Sequence, residues 1–397
     1  MQAGKGTTVD WRFIVMLGLM AAISPLSMSI HVQSIPAIAR DLETSYRNAQ
    51  FTVSLFLFTF AFVQFFVGPL SDRLGRRPVL FGGLTVFACA SLLAALAPSI
   101  EIMIAARMLQ AAGGCAALVT PRAVIQDRLT GMEAARILGL VSMIQSTAPI
   151  IAPVIGGTID AAFGWHAIFL ALGLYAIGIG VMTGLKLAES RPTEGGKVAG
   201  WDVILRRYWA ILQHRRFLAY AGVFSLGTTG YFGFLTNGPA VLIGDLGLAP
   251  WQFSIVLGTI CIQFVLSAYI ASLVVARVGI DLILVVGSVL QVLSVLAFWA
   301  ITFSPTAIGI TITLCAFTFS NGLLFANALA GATAVDPRIA GSAASLLGSL
   351  QFGIGGVVAL TVASLPMTNF GPYPLILFVL AIGTLVSAVI ALRSPRG

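Results

Sequence analysis

Two side chains that could carry a proton or bind an anion lie inside long uncharged stretches of this chain, His31 in one and Arg107 in another. A histidine titrates near neutral pH and can relay a proton. His31 therefore predicts a substrate contact, a proton relay, or a hydrogen bond to a serine or a carbonyl. An arginine in an apolar stretch needs a cavity or a partner. Arg107 predicts contact with an anionic or strongly polar substrate, or with backbone carbonyls at a kink.

The acidic residues occupy other positions. All 14 Asp and Glu residues fall in expected loops or at expected helix ends, and none lies deep within an apolar stretch. Carboxylates inside a membrane are the usual proton carriers of pumps and transporters. The sequence therefore places no carboxylate where it would carry protons, which leaves His31 as the interior side chain that titrates near neutral pH.

These residues are embedded in a composition typical of membrane proteins. Of the 397 residues, 58% are hydrophobic and 9% are charged, whereas soluble domains contain roughly 25% charged residues. A spanning helix needs about 20 predominantly apolar residues. The pattern predicts an all-α polytopic membrane protein with twelve spans, near 13–38, 48–70, 78–97, 101–123, 135–159, 165–187, 217–243, 251–275, 281–302, 305–332, 339–363 and 373–392.

Enzymatic, metal-binding and nucleic-acid-binding functions are not expected. The four cysteines are far apart and lack metal-ligand spacing, and we find no phosphate-binding glycine loop of the P-loop type and no nucleophile–base pair. The sequence thus predicts no cofactor and no metal. The formal charge of +8 is better explained by membrane topology than by nucleic acid.

The basic residues predict the orientation in the bilayer. With the amino terminus in the cytoplasm, all of the 22 Lys and Arg residues except Arg40, Arg47 and Arg107 lie on the cytoplasmic side. This is the bias of the positive-inside rule. We therefore expect both termini to be cytoplasmic.

The one long polar connection divides the spans into two groups of six. It runs from Ala188 to Arg216 and begins with a stretch whose composition is typical of a flexible linker. Its second part, Trp201–Arg216, has the pattern of an interfacial amphipathic helix. The sequence therefore predicts a six-helix bundle over 1–187, a linker over 188–216 and a second six-helix bundle over 217–397, with a substrate site near the midplane between the bundles.

A short charged segment separates the second span from the third. Its glycines allow close helix contact and a tight turn, and its acid can accept hydrogen bonds from an arginine or a helix amino terminus. Its arginines are expected to hold phosphates and carbonyls. The segment includes Gly68, Asp72, Arg73, Gly75, Arg76 and Arg77.

Three motifs resemble those of a known transporter family. Gly68-x-Leu70-x-Asp72-Arg73-x-Gly75-Arg76-Arg77 matches, without a gap, the loop motif of the major facilitator superfamily. Arg107-x-x-Gln110 in span four is similar to the membrane arginine motif of its drug:proton antiporter branch. Span five is similar to the antiporter motif of that branch, with alanine at two positions that usually hold glycine. The residues of this third motif are Gly139, Ala148, Ala152, Pro153, Gly156 and Gly157.

Residues 25–39 and 338–348 resemble the Bcr/CflA drug-resistance subfamily, and the likeness extends over 12–392. The resemblance implies a monomeric transporter of a bacterial inner membrane that exports a small amphiphilic drug or metabolite in exchange for protons. It also implies that the charged segment is a conformational latch, supported by Arg122 and Asp127, and the alternative is a charge cluster that serves membrane topology alone. Members of this subfamily typically carry an aspartate at the position of Ser29.

The candidate substrate or proton pathway combines polar and aromatic residues of several spans. On an ideal helix, span one has one polar stripe through Ser27 and His31 and another through Ser29 and Gln33. Spans seven and ten supply an aromatic and amide wall, although each of these residues alone is as well explained by helix packing. The candidates are Ser29, His31, Gln33, Arg107, Gln110, Tyr231, Phe234, Asn237, Asn321 and Phe325.

Three functions stay open at this point. The first is a proton-coupled exporter, as the resemblance implies. The second is a metabolite facilitator or exporter whose coupling is lost or has moved to His31, because Ser29 stands in place of the acid. The third is a membrane sensor that keeps the fold without transporting, which the retention of all three motifs disfavours.

Overall fold

Fourteen α-helices follow one another in the part of the chain that the structure describes. The structure is a computed structural model and describes residues 11–129, 131–187, 189, 201–335, 340–364 and 370–394. The helices are α1 (Trp11–Ser29), α2 (Ile35–Asp41), α3 (Tyr46–Leu74), α4 (Arg76–Ala95), α5 (Ile100–Arg128), α6 (Gly131–Phe163), α7 (Trp165–Lys186), α8 (Trp201–Leu212), α9 (Arg215–Pro239), α10 (Pro250–Val278), α11 (Ile280–Ile301), α12 (Ala307–Ala334), α13 (Ala340–Ser364) and α14 (Tyr373–Arg393).

The predicted all-α polytopic membrane fold is confirmed. Eleven helical segments are long and apolar enough to cross a bilayer, with α1 and α2 counted as one segment. Helix α9 corresponds to the seventh predicted span and is not among the eleven. It has 25 residues and is lined by buried polar groups that include Thr228, Thr229 and Asn237. Since it packs against α12, α13 and α14, it lies inside the bundle rather than facing lipid.

The first span is interrupted where the sequence predicted one continuous helix. Helix α1 ends at Ser29, a short 3-10 turn covers Val32–Ser34, and α2 begins at Ile35. Pro36 explains the break, because within a continuous helix it would lack the N–H for the bond to residue 32 and its ring would clash with that carbonyl, whereas the first turn of α2 tolerates it. The ideal-helix stripes through His31 and Gln33 are therefore wrong, since the backbone does not stay α-helical between Ser29 and Ile35.

The turn between α3 and α4 is shorter than predicted. Helix α3 continues to Leu74 and α4 begins at Arg76, so only Gly75 lies outside a helix. Gly75 has φ +99°, a conformation that a residue with a Cβ rarely adopts. The charged segment thus consists of the last turns of one helix and the first turn of the next.

Two helix pairs join the first half of the bundle (α1–α7) to the second half (α9–α14). Helix α3 packs along α13, and α6 packs along α10. Small residues allow the close approach: a Cβ added at Gly348 would overlap the Gln64 amide, and one at Gly356 would lie 2.7 Å from the Phe58 ring. We call the end of the bundle near Gly75 the latch end and the other end the opposite end.

Candidate functional site

Arg107 binds the carboxyl end of α1 with its whole guanidinium. Its Nη1 donates to Ser27 Oγ at 2.9 Å and to Gln110 Oε1 at 2.7 Å, and its Nη2 donates to the Ser27 carbonyl at 3.2 Å. Its Nε donates to the Thr52 carbonyl at 3.4 Å. Because α1 ends at Ser29, the last carbonyls of that helix lack helical partners and attract a cation. Of the two contacts predicted for Arg107, the structure shows the carbonyls.

The acceptors of Arg107 are all neutral. The side chain is 1% exposed, and its guanidinium carbon lies 4.3 Å from the Phe56 ring centre and 5.9 Å from that of Phe169. Aromatic faces stabilise a cation within about 6 Å. Within the described residues Arg107 forms no ion pair with a carboxylate, so the helix end, amide and rings stabilise its charge without cancelling it.

His31 lies beside this arginine and is fully buried. Its Nε2 is 3.5 Å from Thr52 Oγ1, and that hydroxyl donates to the Ala49 carbonyl at 2.6 Å. Since the threonine proton is already used, we assign the histidine proton to Nε2. Nδ1 then has no hydrogen-bond partner in the described part of the chain. His31 is hydrogen-bonded, but to a threonine hydroxyl rather than to the predicted serine or carbonyl, and its roles as substrate contact or proton relay stay predictions.

Ser29 faces the second half of the molecule. It is 2% exposed and is directed at the Tyr231 hydroxyl of α9, which also lies 3.5 Å from Cys261 Sγ of α10. Gln33 instead bonds within its own turn, donating to the Ile30 carbonyl at 2.5 Å. Ser29 and Tyr231 are therefore the two predicted pathway residues that meet across the halves.

A polar joint closes the opposite end of the bundle. Gln50 Nε2 and Tyr46 Oη, both on α3, donate to the Thr236 carbonyl of α9 at 2.8 and 3.4 Å. This carbonyl is available because the Ala240 N–H bonds to Asn237 O in a tighter turn, where a regular helix would direct it to residue 236. Neither Gln50 nor Tyr46 was among the predicted site residues. Their isolated polar character in an apolar span was the available signal.

The predicted second-half wall is only partly assembled. Asn321 accepts from Gln291 Nε2 at 2.7 Å, and the same nitrogen lies 2.7 Å from the Gly227 carbonyl. Phe325 packs on Phe224, with ring centres 4.7 Å apart. These contacts stay within the second half, as helix packing predicts. Gln291 was not predicted, although its isolated polar character in an apolar span is the same signal as for Gln50.

Two further wall residues are buried near the opposite end. Phe234 lies 6.1 Å from the Phe253 ring centre. Asn237 is completely buried, and neither its Oδ1 nor its Nδ2 has a hydrogen-bond partner among the described residues. An unpaired buried amide costs roughly 1–3 kcal/mol, so Asn237 is positioned to gain contacts when this end opens.

The charged segment that is expected to act as a latch is centred on Arg76. Its guanidinium donates to Asp127 through Nε at 2.8 Å and Nη2 at 3.3 Å. Its Nη1 donates to Asp72 and, at 3.0 Å, to Ser71 Oγ. The Arg76 and Asp127 side chains are 11% and 12% exposed, whereas Asp72 is 58% exposed. The predicted pairing of this segment with Asp127 is thus present, and it links the ends of α3, α4 and α5.

The remaining predicted latch residues have separate environments. Arg77 donates to the Gly184 carbonyl at 3.0 Å and stacks on Phe81. Arg122 is half-buried and forms no hydrogen bond or ion pair with any other described residue, so it does not join the Arg76 cluster.

Gly68 and Arg73 are the two other predicted latch residues on α3. A Cβ at Gly68 would lie 3.9 Å from Ser345 Oγ of α13, an ordinary contact distance, so the close helix contact predicted for Gly68 does not require a glycine there. Arg73 lies in the last turn of α3, and its contact with phosphates stays a prediction.

Glu189 was missed by the sequence analysis, which assigned it to the flexible linker. Its carboxylate accepts hydrogen bonds from the N–H groups of Arg76 and Arg77 at 2.9 and 3.1 Å. Helix amino termini carry unpaired N–H groups and partial positive charge. The acid therefore caps α4, and a Cβ at Gly75 would lie 2.8 Å from it.

The amphipathic helix α8 also reaches the latch end. Tyr208 is 5% exposed and its ring centre lies 4.5 Å from that of Phe65 on α3. Burial and the nearby Asp72 carboxylate both raise the pKa of the Tyr208 phenol. The helix predicted over 201–216 ends at Leu212, and the last two predicted residues, Arg215 and Arg216, begin α9.

The residues of the antiporter motif lie in different packing environments. A Cβ at Gly156 would overlap the Ile30 carbonyl, and one at Gly157 would lie 2.6 Å from Ser254 Oγ. Gly139 faces open space. The remaining residues lie within α6, where Ala148 and Ala152 are buried and Pro153 is an internal proline.

The fold and these contacts define a polytopic transporter whose two halves meet through breakable polar groups. The profile of the Major Facilitator Superfamily matches residues 17–360. The chain therefore belongs to the Major Facilitator Superfamily, a family of transporters and not of enzymes.

The similarity to several resistance proteins extends over nearly the whole chain. The chain is 29% identical over 367 residues to a bicyclomycin resistance protein homolog of Haemophilus influenzae, covering 91% of each chain. It is 28% identical over 414 residues to a chloramphenicol resistance protein of Pseudomonas aeruginosa, covering 98% of this chain and 94% of the relative. These relatives confirm the predicted similarity to the Bcr/CflA drug-resistance subfamily.

A solved structure shares the fold. A bacterial homolog of the human lysosomal transporter Spinster, in an inward-facing and occupied conformation, superposes with a TM-score of 0.74 at 13% identity, covering 98% of this chain and 96% of that one. At this identity the likeness supports the fold alone.

Proposed function

We propose that this protein exports a small amphiphilic drug or metabolite from the cytoplasm across a bacterial inner membrane, in exchange for protons. The observation that carries the proposal is the joint of Gln50 and Tyr46 with the Thr236 carbonyl. These bonds link the halves at the opposite end, so rocking of the halves can break them. Alternating access requires such a contact. The named resistance activities of the relatives support a drug as cargo.

The proposed orientation places the latch end and both termini in the cytoplasm. The positive-inside bias supports this arrangement, because the latch arginines and those beginning α9 lie at the same end. Each half is proposed to move as one unit, with the divisions 1–187, 188–216 and 217–397. The protein is proposed to act as a monomer.

The proposed pathway runs between the halves beside Ser29 and Tyr231. Arg107 and Gln110 hold the end of α1 in place, and Asn237 lines the exit when the opposite end opens. Proton coupling is proposed to involve His31, whose Nδ1 is free of protein partners in the described part of the chain.

Efflux from proteoliposomes tests this function. Vesicles loaded with radiolabelled chloramphenicol are followed with and without an imposed pH gradient, using wild type, His31→Ala and, as a control, the exposed His214→Ala. We expect the gradient to accelerate efflux in wild type and in the control, and to have no effect in His31→Ala.

Each other outcome rejects one part of the proposal. Equal efflux without a gradient would support the uncoupled facilitator, which the serine at position 29 favours. Normal coupling in His31→Ala would exclude the histidine. If neither chloramphenicol nor bicyclomycin moves, drug export is wrong.

A further inference from the structure

The charge of Arg107 is not cancelled by any described residue near it. Arginine stays protonated in proteins, and here its acceptors are a hydroxyl, two carbonyls and an amide. Neutral dipoles stabilise a charge without removing its field. The first half therefore contains a buried positive charge.

The acids that the structure describes lie at the ends of the bundle. Asp160, in the last turns of α6, accepts from Ser34 Oγ at 2.7 Å and lies beside Arg40 and Asp41. Asp281 begins α11 and is paired with Arg216 at 3.2 Å. Asp281 has a cationic partner, Asp160 shares Arg40 with Asp41, and neither acid pairs with Arg107.

The positive charge lies close to the space between the halves. Arg107 binds Ser27, and Ser29, two residues later, faces Tyr231 of the other half. Two residues of helix place the guanidinium on the order of 10 Å from a molecule beside Ser29. At that distance a unit charge at a protein-like dielectric changes binding about tenfold.

We propose that this pathway selects neutral or anionic amphiphiles and rejects organic cations. The inference rests on the proposed function, because it assumes that cargo passes beside Ser29 and Tyr231. It names the substrate class by charge, with Arg107 as the specificity-determining residue. Arg107 acts through its field, without direct contact in this conformation.

Two ions of nearly equal size and opposite charge test the proposal. Tetraphenylphosphonium and tetraphenylborate are titrated into purified protein by calorimetry, with detergent alone as the blank. We expect the borate to bind at least about tenfold more tightly than the phosphonium. Ser29→Asp should reverse this order by introducing a carboxylate at the same place, while the similarly shaped Ser29→Asn should keep it.

The outcomes separate this inference from the proposed function. Tighter or equal binding of the phosphonium to wild type would overturn the charge selection, as would the same order of affinities in Ser29→Asp and Ser29→Asn. Failure of both ions to bind, while chloramphenicol is still transported, would also overturn it. Absence of chloramphenicol and bicyclomycin transport would instead reject the proposed function, whatever the ions do.

Discussion

Glu189 caps the helix that Arg76 begins. The carboxylate lies 113 residues further along the chain, yet it accepts the Arg76 N–H at 2.9 Å, while the Arg76 side chain binds Asp72 and Asp127. The same residue thus joins the end of α7 through its backbone and the ends of α3 and α5 through its guanidinium. Arg76 thus connects the segment that follows α7 with the charged network of the latch end.

Removing the charge of this cap should destabilise the protein. We expect Glu189→Gln to lower the free energy of unfolding by about 1 kcal/mol, because a charged acceptor at a helix amino terminus contributes about that amount. Thermal unfolding of purified protein measures the change. Glu43→Gln, on an exposed loop residue at the opposite end, is the control. Equal melting temperatures for the two variants would show that the cap contributes nothing.

The two acids of the latch should differ in importance. Asp127→Asn leaves the largely buried Arg76 with weaker acceptors, and we expect a loss of about 2 kcal/mol, the range for hydrogen bonds to charged groups. Asp72→Asn should cost under about 1 kcal/mol, because Asp72 is 58% exposed and exposed pairs are weak. The same unfolding measurement compares them. A larger loss for Asp72→Asn would mean that Asp72 has a role in another conformation.

The helices were readable from the sequence, while the contacts between distant residues were not. Long apolar runs predict spans because their length matches the bilayer. Hydropathy ended the second span at 70, since it excludes charged residues, although the α-helix continues to Leu74. The spacing of the latch motif identified Asp72 and Arg76. Asp127 was predicted as a residue that supports the latch. Glu189 and Gln50 were not predicted as site residues, because each forms hydrogen bonds with backbone groups of a helix that is remote in sequence.

The break in the first span shows a second limit of prediction from the sequence. Pro36 indicated a disturbance, but sequence alone does not say whether a membrane proline kinks a helix or ends it. The structure ends the helix at Ser29, and the Ser27 carbonyl becomes an acceptor for Arg107. A polar stripe drawn on an ideal helix could not have predicted that contact.

Loss of the Gln50 bond should open the opposite end. Gln50→Leu removes the shorter of the two hydrogen bonds to Thr236 O, so we expect a shift toward the state open at this end. Alkylation of a cysteine introduced at the buried Asn237, in a background with the four native cysteines replaced by serine, reports the opening. It should accelerate several-fold.

The control for this opening is Asn48→Leu on the same helix, whose side chain bonds locally to Thr44. It should leave the alkylation rate unchanged. If both leucine variants accelerate labelling equally, the joint is not specific.

Two glycines of α6 form a matched pair for the helix contact. Gly156→Ala adds a methyl that overlaps the Ile30 carbonyl, whereas Gly139→Ala adds one in open space. We expect Gly156→Ala to reduce chloramphenicol efflux at least tenfold by forcing α6 away from the first-span break. Gly139→Ala should retain efflux and gain up to about 1 kcal/mol of stability from helix propensity. Normal efflux in Gly156→Ala would show that the contact is not needed for transport.

Replacing Arg107 by lysine should separate its charge from its geometry. Lysine keeps the charge but lacks the planar fork that joins Ser27, Thr52 and Gln110. We expect Arg107→Lys to lower the melting temperature and the efflux rate while keeping the preference for tetraphenylborate. Arg107→Gln should lose that preference as well. The charge preference is measured by the same calorimetry, and its survival in Arg107→Gln would show that another cation sets it.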